Sequence, residues 1–148
     1  MIGSKFTKLV EKHSDQLSRE LAHKLHASTR TKGFHTIPVA DLQQDIHILY
    51  NNLGDWLLSR TEQDIQARYQ ELGRRRAGQG IAPEELMWAF TVAKEHIIAF
   101  LRREAIADSA LALFSELEFI MILSQFFDRA IYSALQAQTE ARKQSAAA

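Results

Sequence analysis

The sequence predicts an all-α fold: a single helical bundle of about five helices over residues 1–148, with a long C-terminal helix. Three observations carry this expectation. Six glycines and two prolines make up about 5% of the chain, against the roughly 12% of average usage, so breaks are few. Between the breaks, apolar residues recur at steps of three and four. No run of β-branched residues alternates with polar ones, which leaves nothing to form a strand.

Each helix has its own justification. In the first, Phe6, Leu9, Val10, His13, Leu17, Leu21 and Leu25 make one apolar stripe, and Gly33 and Pro38 close it off in a loop over residues 31–38. Leu42, Ile46, Leu49, Tyr50, Leu53, Trp56 and Leu57 mark the second, which ends near Ser59. The third opens at Thr61, whose Asp64 three residues on completes a capping box, and it buries Ile65, Tyr69, Leu72 and Arg76 before stopping near Ala77. Gly78 and Gly80 supply the turn, with a positive φ available at either, and Pro83 fits the first turn of the fourth helix.

Leu86, Phe90, Ala93, Ile97, Phe100 and Leu101 line the fourth helix. Continued in phase, that stripe would meet Glu104 and Asp108, so a break is expected at 105–108, with Asp108 or Ser109 capping the fifth helix. There Leu113, Leu117, Ile120, Ser124, Phe127, Ile131 and Ala134 form a heptad seam, and Phe119, Ile122, Phe126 and Ala130 add a second face. Residues 136–148 are polar and Ala-rich, a frayed tail or a linker to an output domain. Gly54 and Gly73 fall inside helical patterns and mark tight helix contacts.

Composition excludes several function classes. Eighteen basic and eighteen acidic residues leave no net charge, which argues against nucleic-acid binding through a basic surface. With no cysteine there is no disulfide framework, thiolate nucleophile or sulfur-ligated metal. The first thirteen residues hold three lysines and no unbroken apolar core, unlike a secretory signal. Phe119 to Phe127, the most apolar uncharged stretch, is about half the length that spans a bilayer. A cytoplasmic chain with no membrane span is expected.

No Ser-His-Asp set, phosphate-binding glycine loop or catalytic carboxylate pair stands out, so the chain reads as non-enzymatic, with no cofactor and no metal. Glu20 and His23 have the Glu-x-x-His spacing of di-iron bundles, but no second such pair exists. The Arg74–Arg76 run with Arg68 reads as the solvated end of a helix, with Arg76 turned inward to a buried polar contact; Asp128-Arg129 on the fifth helix could pair with Arg76 or Glu85 across the bundle. An interior ligand site would draw on Trp56, Tyr69, Arg76, Trp88 and His96, and His96 is the residue that could ligate haem. Phe119, Ile122 and Phe126 are the candidates for an outward interface, through which a homodimer is expected, or docking to an output domain or partner protein.

The segment from Tyr69 to Leu86, YQELGRRRAGQGIAPEEL, together with Leu53-Gly54-Asp55-Trp56-Leu57 and Phe126-Phe127-Asp128-Arg129-Ala130, resembles the RsbRD N-terminal domain family. These are helical input domains of bacterial signalling proteins, named for RsbT co-antagonist regulators of the stress response. The resemblance implies a sensory or regulatory module placed before an output domain such as a STAS domain or a histidine kinase, and it brings no ligand residues with it. The chain ends shortly after its last helix, so it is expected to be a stand-alone member or an input domain cut at its linker.

Overall fold

A computed structural model of the chain describes residues 4–104 and 109–147. Seven α-helices and one 3-10 helix are present among them, and no strand: α1 (Ser4–Lys12), α2 (Ser14–Ala27), the 3-10 helix (Thr29–Thr36), α3 (Val39–Asn51), α4 (Leu53–Leu58), α5 (Glu62–Gly78), α6 (Pro83–Glu104) and α7 (Ala110–Ala147). The expected count of about five is corrected to eight. The first predicted helix is broken at His13, whose φ of −105° and ψ of 18° leave the helical range, and the second at Asn52, with φ −123° and ψ 26°. The predicted loop at 31–38 is largely 3-10 helix. The break expected at 105–108 lies outside the described residues, but Ser109 does accept a bond from the Ala112 N–H at 3.1 Å, as a cap should.

Helix α5 begins as the sequence reads. The Thr61 hydroxyl accepts from the Asp64 N–H at 3.1 Å, and the Asp64 carboxylate accepts from the Thr61 N–H at 3.0 Å. The Thr61 N–H, together with the Thr61 hydroxyl, holds the Asp64 carboxyl below its ordinary range. At the other end only Gly80 takes a positive φ, 76°, so the turn uses one of the two glycines for that purpose. Ile81 then tucks fully into the core.

The closest helix pairs are α5 with α7 and α2 with α3. Gly73 makes the first pair possible: a Cβ on it would lie 2.0 Å from the Ala134 carbonyl oxygen, so α5 and α7 touch backbone to backbone. Tyr69 meets Phe126 and Ile81 meets Gln138, so contacts climb both helices in step and the two run parallel. Gly54 similarly admits the Thr7 hydroxyl of α1 at 3.3 Å from where a Cβ would stand. Between the two close pairs, α6 fills the middle with Leu86, Ile97, Phe100 and Leu101 buried.

Candidate ligand site and interface

Where α5 faces α3 and α6, side chains rather than backbones bridge the gap, and a cavity of about 90 Å3 remains, partly open to solvent. Its walls are mostly apolar, including Leu42, Leu49, Leu72, Phe90 and Phe127. An aromatic cluster closes one side: the Tyr69 ring lies 6.1 Å from Trp56, 5.8 Å from Phe90 and 5.7 Å from Phe126. Helical spacing on α5 puts Arg68, Tyr69, Leu72 and Arg76 along the cavity, over a length of roughly 12 Å.

The polar groups here divide into satisfied and unsatisfied. Arg76 is only 5% exposed, and its guanidinium donates to Asp45 at 2.9 Å and to Gln79 at 2.8 Å while facing the Phe34 ring at 5.5 Å. Arg75 approaches the same Asp45 at 3.4 Å. The predicted inward contact of Arg76 is thus real, but its partner is corrected from helix α7 to α3: Arg129 reaches Glu62 at 3.5 Å, and Glu85 accepts from the N–H groups of Gly33 and Ala82 at 2.6 and 3.0 Å. Tyr50 donates to the Ala93 carbonyl at 3.5 Å. Among the described residues Arg68 has no ion pair and the Tyr69 hydroxyl no hydrogen-bond partner, although that hydroxyl is not sealed from solvent. Burial pushes the Tyr69 phenol well up, against the pull of the Arg68 charge.

The structure therefore brings together Trp56, Tyr69 and Arg76 and sets the other two candidates apart. Trp88, half-buried on α6, lies under Arg30, whose guanidinium carbon is 4.4 Å from the ring centroid. His96 is 8% exposed and faces Glu20 of α2, Nε2 to Oε2 3.7 Å; it does not line the cavity. Glu20 thus turns to His96, away from a Glu-x-x-His pair, and no group of three or more acidic or histidine side chains is placed to hold a metal among the described residues. Asp45 and Arg68 are the cavity residues that sequence spacing did not single out for this site; a lone arginine or aspartate on a helix reads as surface.

The proposed interface residues are also redistributed. Phe119 and Phe126 are 1% and 3% exposed, buried in the core, so neither faces outward. Phe119 packs on Phe6 of α1 with ring centroids 5.4 Å apart. Ile122, half-buried, lines with Phe126, Trp56 and Arg60 a surface groove between α4 and α7. The outward apolar face lies one turn earlier, where Leu111, Leu113, Phe114, Leu117 and Met121 are between 50% and 71% exposed. By length and composition α7 is also long and apolar enough to cross a membrane, with a mean hydropathy of 1.6 over its most apolar window. It remains helical through Ala147, including the stretch expected to fray or to form a linker.

Compared with known families, the chain matches the model of the RsbT co-antagonist protein rsbRD N-terminal domain over residues 14–148, from the first residue of α2 onward. No curated protein and no solved structure matches it.

Proposed function

Given that the chain belongs to the RsbT co-antagonist rsbRD N-terminal domain family, regulatory N-terminal domains of stress signalling, we propose that it works without catalysis, in the cytoplasm, by pairing α7 with the α7 of a second copy. The observation that supports this is the exposed apolar face of Leu111, Leu113, Phe114, Leu117 and Met121 on a helix whose later turns are core. Contiguous apolar surface of this kind marks association sites in folded proteins. Leu113, Leu117 and Ile120 step by four and three, the spacing by which a helix interdigitates with a copy of itself. A two-fold contact needs only one such patch, repeated on both protomers. From that contact, α7 runs against α5 through the Gly73–Ala134 contact and on to Ala147, so a shift at one end is carried along a single helix.

Sedimentation velocity tests the pairing. The chain at high micromolar concentration is expected to sediment as a dimer. Phe114→Asp or Leu117→Asp should weaken association by tenfold or more, a charge being costly to bury unpaired, and leave helicity by circular dichroism unchanged. A strict monomer overturns the reading, and capture of that monomer by anionic lipid vesicles would assign the face to a membrane surface.

A second reading, a small-molecule sensor, is favoured by the cavity itself. Three of the residues expected to bind a ligand, Trp56, Tyr69 and Arg76, meet there, and Phe127 of α7 forms part of its wall. An occupant would touch the helix that carries the association face. Haem is not favoured there, because His96 lies outside the cavity.

A further inference from the structure

The cavity between α3, α5 and α6 has a chemistry that narrows its occupant, and we propose that it takes a small apolar monocarboxylate, with the carboxylate on Arg68 and the Tyr69 hydroxyl and the hydrocarbon body among Leu42, Leu49, Leu72 and Phe90. The proposal rests on the sensor reading of this cavity and names its ligand class.

Charge selects an anion. Asp45, Arg68 and Arg76 are the charged residues lining the cavity. Asp45 is shared by Arg76 at 2.9 Å and Arg75 at 3.4 Å, which leaves Arg68 as the lining cation with no ion pair among the described residues. Its guanidinium has no acceptor among the described residues, although it offers five N–H donors in a planar fork that fits a carboxylate. Next to it in sequence, Tyr69 is 5% exposed and lines the same cavity with a hydroxyl that no described residue satisfies. The hydroxyl is not sealed from solvent, so it stands open as a donor to an occupant entering from the open side of the cavity. A single cation with one neutral donor balances one negative charge.

The rest of the lining selects the body. Apart from the paired Asp45 and Arg76, the walls are mostly leucine, isoleucine, alanine and aromatic residues, which offer hydrophobic transfer energy to an apolar body. At about 90 Å3 the cavity is smaller than the engineered cavity of about 150 Å3 that admits benzene, so the body is slim and its head lies toward the open side.

Trp56 lines the cavity and Trp88 does not, so a Trp88→Phe chain carries one fluorescent reporter at the site. Titrating it with butyrate, hexanoate and octanoate, and with hexanol and hexylamine as neutral and cationic counterparts, tests the proposal. Hexanoate is expected to change Trp56 emission saturably and to bind about tenfold more tightly than hexanol, the usual effect of a charge-assisted bond near a protein surface. Arg68→Gln should remove that preference without moving hexanol binding, and Arg68→Lys should restore part of it. If hexanoate and hexanol bind alike, or Arg68→Gln weakens both equally, the carboxylate proposal falls while the pocket stands. If none of the five binds, the sensor reading falls with it.

Discussion

At the scale of single residues, two glycines five positions apart on α5 carry opposite expectations. Gly73 lies against Ala134, and an added methyl would fall 2.0 Å from a backbone oxygen that has no rotamer by which to move away. Gly73→Ala must therefore part α5 from α7, and a loss of about 3 kcal/mol in urea-induced unfolding is expected, the upper end of ordinary overpacking. Gly78 has nothing within 4 Å of its added Cβ and a negative φ, so Gly78→Ala should stabilise by about 0.5 kcal/mol by restricting the unfolded chain. If the two variants shift the unfolding midpoint the same way, the backbone contact at Gly73 is not what holds the helices together. Gly73 was legible in the sequence because a glycine in a helical stripe is unfavourable there without a compensating contact. Asp45, the partner of Arg76, was not, because the two are 31 residues apart and only the fold brings them to 2.9 Å.

At the scale of elements, the sequence resolves helices well where a glycine, proline or cap ends them, as at Thr61 and Gly80, and poorly where none does. The apolar stripe runs in phase through Val10, His13 and Leu17, so periodicity gives no sign that the chain bends at His13. The seam between α2 and α6 gives the element-scale prediction. His96 of α6 is held against Glu20 of α2, with its Nδ1 and the Glu20 Oε1 both buried and unpartnered among the described residues. Burial pushes the His96 imidazole below its ordinary 6.5; Glu20 opposes that push, while Lys24 and Arg103 add to it. The unfolded chain thus takes up a proton that the folded seam resists. The resulting contribution to stability is complete above about pH 6.5 and is lost as the pH falls below it. Urea midpoints measured from about pH 7.5 down to about pH 5 should fall more steeply for the unsubstituted chain than for His96→Gln. Equal slopes would remove His96 from the account.

At the scale of the molecule, what matters is which part of α7 the rest of the fold leaves uncovered. From sequence the whole helix is apolar on two faces, and nothing in its pattern distinguishes Phe119 from Phe114. The difference arises because α1 and α5 cover its middle turns, through Phe6 on Phe119 and Gly73 on Ala134, and stop short of its first ones. If a second copy covers those first turns, folding and association are linked, and the melting temperature must rise with protein concentration. For a native dimer, a tenfold increase in concentration contributes about 0.7 kcal/mol per protomer, worth roughly 2 °C for a chain of this size. Thermal unfolding followed by circular dichroism over a hundredfold range should therefore show a rise of about 4 °C. Leu117→Asp should flatten the dependence and leave the monomer folded, because Leu117 is 53% exposed and contributes little to the core. Phe119→Asp should instead lower the melting temperature at every concentration, since its ring is buried within its own subunit. The contrast between these neighbouring substitutions separates an association face from a core face on one helix, and a concentration-independent melt for the unsubstituted chain would assign Leu113, Phe114 and Leu117 some role other than pairing with a second copy.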